Sequence, residues 1–470
     1  MFSKAVLTRY ITYTVGVFTT ALNLLMITYF LDVNEFAVWG IATSLIYIFS
    51  QIGQLTYVQF IDKYFPQMSL QESKFKVYQF LKTITLFSPI YLSILFLLDG
   101  IGYFDKFLIE NIYILFLMLT TLIVLEAAIE VTSKYMLSMQ KTQSFDLNEF
   151  LLLKLFRSFL FFTFLYNGFS IYHLFFISIL LRSIFLISIL SKNEISIIVF
   201  FKNITQANIF KNNFEKLRYT TVAFMIKTLQ ITFLNIIFLI YSNFSESTEI
   251  ATYSLGILII NNLRPVISSF SSLLTPKISQ RANIGNESKN FLILTSFLNT
   301  FLSSVFIFGS MFLFLLKDLI QDYFINYEGN VLLIIFLSII ASTLMSIYQP
   351  VLLFVKFSDR EKELLNKLTF NYLFCLVMFY FCQIFDLNNL ILFYILFEIL
   401  NLYFSQKIYR SSFQNSNVFL VSYGYIVTSI LVIYGNIFNF EYIYFYVPLL
   451  LISYFLDYKR FKKRNLNLNL

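Results

Sequence analysis

The chain is poor in charge. Only 13% of its 470 residues are Asp, Glu, Lys or Arg, against about 25% in soluble domains, which excludes a water-exposed globular fold. Its 12 glycines are nowhere gathered into a loop that could cradle phosphates, so nucleotide-driven chemistry has no seat. Segments of about ten residues with alternating polarity are absent, and with them an outer-membrane β-barrel. The two cysteines, Cys375 and Cys382, lie seven apart in one apolar run. That is about 10 Å along a helix, beyond the ~7 Å Cα separation a disulfide tolerates. The only histidine, His173, stands near the end of an apolar run and reads as an interfacial residue before a proton relay. No connection is long enough for a soluble domain; the longest outer loops are 99–110 and 317–330.

What the chain has is grease: 58% hydrophobic residues, 20% aromatic, and a mean hydropathy of +0.74. Apolar runs of about 20 residues, each enough to cross a ~30 Å hydrocarbon core, recur from end to end. The fold class expected is an all-α polytopic membrane protein of about 14 transmembrane helices. The spans fall at 6–31, 37–60, 80–98, 111–133, 149–167, 170–190, 219–241, 250–274, 290–316, 331–355, 368–385, 388–406, 417–437 and 441–457. The first is too long for a signal-peptide core and lacks a small-residue cleavage site, so it is expected to stay as a span.

Charge fixes the orientation. With the amino terminus inside, 31 of the 34 Lys and Arg residues fall on the inner side, Lys106 and Lys317 fall outside, and Arg264 lies within the membrane. The positive-inside rule then places both termini in the cytoplasm and requires an even number of spans. The surplus is a topology signal, with attraction to anionic membrane lipids second and nucleic acid excluded as a partner. Residues 191–218 form the longest inner connection, with an amphipathic island at 195–201 as one reading and a plain solvated tether as the other. That linker separates a first lobe, 1–190, from a second, 219–410, leaving an extra helix pair and a basic tail at 411–470. The lobes resemble each other at an offset of 214: Glu35 matches Glu249, Ala37 matches Ala251, Trp39 matches Tyr253 and Lys63 matches Lys277. Six spans per lobe make the repeats parallel, related by an axis along the membrane normal, with a central cavity between them and alternating access as the natural motion.

Several charges lie where lipid would penalise them. Arg264, with Asn261, Asn262 and Pro265, sits in the middle of the eighth span. An arginine at that depth costs at least about 2.5–3.5 kcal/mol, so it faces either an anion in a wet cavity or a structural partner. Pro265 removes a backbone donor and predicts a kink or break. Glu126, Glu130 and Lys134 share one face of the fourth span. Counted at 1.5 Å per residue, Glu126 is level with Arg157 of the fifth span and Glu130 with Lys154. These four form either an interhelical brace or part of a gate or proton site. Arg182 and Lys227 are near enough to the inner surface to snorkel, Asp32 and Glu35 stand at the outer mouth, and Glu398 lies mid-span with no evident partner.

Two stretches resemble a known family. LDVNEFAVWGIATSLIYIFSQIGQLTYVQFIDKYFPQ, after the first span, is similar to the opening of Wzx-type polysaccharide flippases, which belong to the multidrug/oligosaccharidyl-lipid/polysaccharide exporter superfamily. Tyr253, Leu255, Pro265 and the LLTPKISQ end with Pro276 resemble a recurrent helix of the same group. The resemblance implies a transporter, not an enzyme, with no cofactor and no metal, that moves an undecaprenyl-pyrophosphate-linked oligosaccharide from the inner to the outer leaflet of the bacterial cytoplasmic membrane. It implies a cationic cavity in which Arg264, Arg157, Lys154 and Arg9 contact the pyrophosphate, with Asn261 and Asn262 beside them and Glu126, Glu130 and Glu398 as gating or ion-pair candidates. Arg264 is similar in position to a membrane-buried arginine of related lipid flippases; Ser50 occupies the repeat-related place. A polysaccharide polymerase and a chain-length regulator are the protein partners implied. The alternatives are a cation-coupled drug or metabolite exporter, which prefers an acidic cavity, and a membrane-embedded polymerase, which needs a large outer loop.

Overall fold

The computed structural model describes residues 4–65, 68–107, 111–139, 142–193, 214–267, 331–356, 360–384 and 390–412, with 320, 322–324 and 327 between them. The described residues are helical, with no strand among them. In chain order the helices are α1 (Lys4–Phe30), α2 (Val33–Gly53), α3 (Tyr57–Tyr64), α4 (Leu70–Leu86), α5 (Ser88–Gly100), α6 (Ile112–Ser138) and α7 (Thr142–Glu149). There follow α8 (Arg157–Tyr166), α9 (Ile171–Lys192), α10 (Phe214–Phe244), α11 (Ser247–Ile267), α12 (Val331–Lys356), α13 (Glu361–Ile384) and α14 (Leu390–Ser412). Among the described residues, six helical segments are long and apolar enough to cross a membrane, and three shorter apolar helices accompany them. The ninth, thirteenth and fourteenth expected spans, and most of the 191–218 linker, lie outside the described residues.

Local chemistry sets the helix limits. Asp32 caps α2, its carboxylate accepting from the Glu35 amide at 2.7 Å, and Ser69 caps α4 in the same way at 3.3 Å; each satisfies a donor that the first turn would leave open. Three expected spans are not single uniform helices, the third being divided at Phe87 between α4 and α5. The second is interrupted after Gly53, where Leu55 takes a φ of 48°, a region costly for a side-chain-bearing residue, before α3 resumes. The fifth opens as a widened π-helical stretch, Phe150–Phe156, before tightening into α8. Such stretches re-aim side chains and are found often at functional sites. By contrast, Pro265 does not break its helix: α11 runs on through it to Ile267. A proline removes one backbone N–H and so one hydrogen bond, which the neighbouring turns withstand here.

The packing repeats itself. α1 packs on α8 and α10 on α13; α6 packs on α9 and α12 on α14; α2 lies against α10 and α1 against α11. Each pairing recurs one repeat later. The two repeat-related helices α2 and α11 also cross each other, at a spot that admits no side chain: a Cβ on Gly40 would fall 1.8 Å from Ser254 Oγ. Gly40 and Ser254 are themselves 214 residues apart. Two residues that the sequence offset of 214 makes equivalent thus meet at this crossing. One continuous apolar core runs from Phe36 and Trp39 through Phe233 and Tyr253 to Tyr394 and Phe397, and a second gathers Tyr57, Phe60, Phe65, Phe80 and Tyr135 near the lysine-rich end.

Candidate functional site

Between α1, α2, α6, α8, α9 and α11 lies a cavity of about 270 Å³. Four of its walls are charged: Glu126 and Glu130 one turn apart on α6, Arg157 at the start of α8, and Arg182 on α9. Ser50, Gln51, Thr43, Asn261 and Asn262 add hydrogen-bonding groups, and Trp39, Tyr47 and Phe161 add ring surface. Trp39 is held by a stack on Phe175, centroids 4.8 Å apart.

The pairing differs from the one that depth alone suggested. Glu126 takes Arg182 as its partner, with Nε at 2.5 Å from Oε1 and the terminal nitrogen closer still. Glu130 takes Lys227 of α10 at 2.6 Å, and the same ammonium donates to Gln54 Oε1 at 2.9 Å. The partners thus come from α9 and α10, and the two lysine- and arginine-bearing positions read as snorkelling, Arg182 and Lys227, are instead ion-paired inside. Gln54 reaches Lys227 from the very interruption that separates α2 from α3. The Glu130–Lys227–Gln54 set therefore ties α6, α10 and the end of α2 together.

Arg157 is the cavity cation left over. Among the described residues it makes no ion pair, its Nε has no hydrogen-bond partner, and its guanidinium stands over the Phe161 ring at 5.7 Å from the centroid. Lys154, one turn earlier in the π-helical stretch, lies along α1, where a Cβ on Gly16 would come within 2.7 Å of its Nζ. Asn261 donates to Asn235 Oδ1 at 3.3 Å, Asn262 to the Leu258 carbonyl at 2.6 Å, and both line the cavity. The Arg9 side chain lies outside the described residues.

Arg264 lies one layer behind that wall. It is 5% exposed and donates from one terminal nitrogen to Tyr394 Oη at 2.9 Å, to the Gln230 carbonyl at 3.3 Å and to Glu398 Oε1 at 3.5 Å. Glu398, without an evident partner in the sequence, is fully buried against it. Tyr47 of the cavity wall stands near Arg264. His173 sits in the first turn of α9, beside Ser170 Oγ at 3.2 Å.

The sequence reading missed the roles of Arg182, Lys227, Gln54 and Tyr47. The first two were visible as charges more than a turn inside apolar runs, a signal stronger than the snorkelling argument allowed.

No family model matches the chain, and no curated protein matches it. Among solved structures the chain is similar to a lipid II flippase, MurJ, in an inward closed conformation. The TM-score is 0.59 and the identity 12%, over 97% of this chain and 99% of that one. The chain shares that flippase's fold. A eukaryotic MATE transporter, AtDTX14, aligns over 85% of this chain and 91% of its own length with 12% identity and a TM-score of 0.49. The charged cavity lies between α1, α2, α6, α8 and α9 on one side and α11 on the other.

Proposed function

We propose that this protein is a flippase that passes the anionic head of a lipid-linked oligosaccharide through the cavity by alternating access. Arg157 carries the reading: it is a guanidinium on the cavity wall with its Nε unengaged, beside two carboxylates that already have cationic partners. A guanidinium holds a phosphate through two parallel hydrogen bonds and stays charged at any working pH. Asn261, Asn262, Gln51 and Ser50 offer donors and acceptors for sugar hydroxyls. A volume of about 270 Å³ is at the small end of ligand pockets, roughly 300–1,000 Å³. In this conformation it suits a pyrophosphate and little more, so the rest of a sugar head enters only when one end of the bundle opens. In this reading Arg264, expected at first as the anion contact, holds α11 to α14 through Glu398, and the lysine-poor end faces outward.

The test is movement of a fluorescent undecaprenyl-pyrophosphate sugar across proteoliposomes. A hydrogen bond to a charged group contributes about 1.5–3 kcal/mol, so Arg157→Ala should slow flipping roughly 10–100-fold, with Arg157→Lys between it and the parent. A second reading has one observation in its favour: Glu126 and Glu130 both line the cavity, as a cation exporter requires. Expulsion of a cationic dye, with no lipid moved, would decide for the exporter.

A further inference from the structure

The lysine-poor end of the bundle carries two hydrogen-bonded crossings between the halves, and they mirror each other. In the first half, the loop between α5 and α6 sends Tyr103 onto the last turns of α10. Its hydroxyl lies 3.2 Å from the Leu239 carbonyl and 2.5 Å from Ser242 Oγ. In the second half, the segment leading into α12 sends Tyr323 and Tyr327 onto the last turns of α1. Tyr323 donates to the Leu25 carbonyl at 2.6 Å and Tyr327 to the Thr28 carbonyl at 3.3 Å. Leu25 and Leu239 are 214 residues apart, and so are Thr28 and Ser242. The same two positions of the repeat thus receive a tyrosine from the opposite half on both sides of the axis. Rings reinforce the second crossing: Tyr323 stacks on Tyr29 at 5.9 Å and Tyr327 meets Phe36 edge-on at 5.9 Å. Burial pushes all three hydroxyls above the ordinary tyrosine range, so each remains a proton donor.

We propose that Tyr103 and the Tyr323–Tyr327 pair are two repeat-related straps that hold the lysine-poor end of the cavity closed, and that their release opens the cavity to that face of the membrane. Packing alone needs no such arrangement. Most helix contacts in membranes are van der Waals, whereas these contacts are hydrogen bonds made at the rim to the helix ends of the other half. A phenol–carbonyl bond can be made and broken without stranding a charge, because water at the rim replaces it on opening. The Lys227–Glu130–Gln54 set, lying toward the opposite end, is the counterpart a two-sided gate requires. The inference rests on the alternating-access reading, but its test does not.

The reporter is Thr43→Cys, on the cavity wall, in a chain with Cys382→Ser; Cys375 is buried and stays. A membrane-impermeant maleimide is applied to intact cells and to inside-out vesicles, with no substrate added. A hydrogen bond of about 1 kcal/mol corresponds to roughly 5-fold in the open population, so Tyr103→Phe should raise the labelling rate about 5-fold from one face only. The Tyr323→Phe, Tyr327→Phe pair should do as much or more, and all three together should approach ~100-fold if the crossings act independently. Phenylalanine keeps the ring and its packing; a retained melting temperature in detergent shows that the fold is intact. Unchanged rates from both faces overturn the proposal, and so does an equal rise from both, which marks general loosening. A one-sided rise in a protein that moves no lipid keeps the straps and removes the flippase reading. Lipid flipping by the parent chain with rates unmoved in the triple variant does the reverse.

Discussion

The pair Arg264–Glu398 offers the sharpest energetic test, because both groups are buried, at 6% and 0% side-chain exposure, and 3.5 Å apart. At that distance two unit charges attract by about 5 kcal/mol for an effective dielectric near 20, and desolvation offsets much of it. Removing one partner is different: the other charge is stranded, at a cost of about 3–5 kcal/mol. Glu398→Gln removes the carboxylate facing Arg264 and keeps neutral acceptors such as Tyr394 Oη and the Gln230 carbonyl, so unfolding in mixed SDS–detergent micelles, followed by circular dichroism, should show a loss in that range. Arg264→Met with Glu398→Leu replaces the pair with apolar groups of similar size and should recover all but about 1 kcal/mol. A loss under 1 kcal/mol in Glu398→Gln would refute the pairing as a source of stability. Lipid flipping in the double variant decides the rest. Retained activity makes Arg264 a brace between α11 and α14; a stable but inert double variant returns Arg264 to substrate contact, as the sequence first suggested.

Other perturbations follow from the same contacts. The charge swap Glu126→Arg with Arg182→Glu should regain flipping that each single change loses, whereas Glu126→Arg with Arg157→Glu should not. Both are read in the same proteoliposome assay. Gly40→Ala drives a methyl into Ser254, an overpacking that costs about 1–3 kcal/mol. Ser254→Gly in the same chain should return most of the lost melting temperature.

The helical segments were legible because hydropathy acts on whole segments, and eleven of the fourteen expected spans overlap described helices. What a single segment cannot carry is azimuth. In a soluble helix an apolar stripe marks the buried face, but in lipid both faces are apolar. Nothing in α6 therefore says whether Glu126 points toward α8 or α9. Glu126 and Arg157 line one cavity, yet the partner of Glu126 is Arg182. The same ambiguity hid Glu398 from Arg264, since they are joined only by how α11 rests on α14. The interruption at Leu55 escaped because neither Gly53 nor Gln54 is strong punctuation in so apolar a run. Substrate identity is less legible still. A fold shared at 12% identity fixes the bundle, while the sugar is recognised by scattered hydroxyl and amide groups with no spacing of their own.

The contact of Gly40 with Ser254 has a mechanical side. Helices that cross with no side chain between them leave no room to shift there, so in the proposed alternating access this crossing is the pivot. Gly40 lies seven residues past Val33, about 10 Å along α2 from its start. A turn on the order of 15°, as in known subunit rotations, leaves the Gly40–Ser254 distance nearly constant while the helix start sweeps roughly 2–3 Å. That stroke exceeds what a hydrogen bond can stretch, so the tyrosine bonds at the rim break together while the centre stays packed. The absent side chain of Gly40 makes the fulcrum.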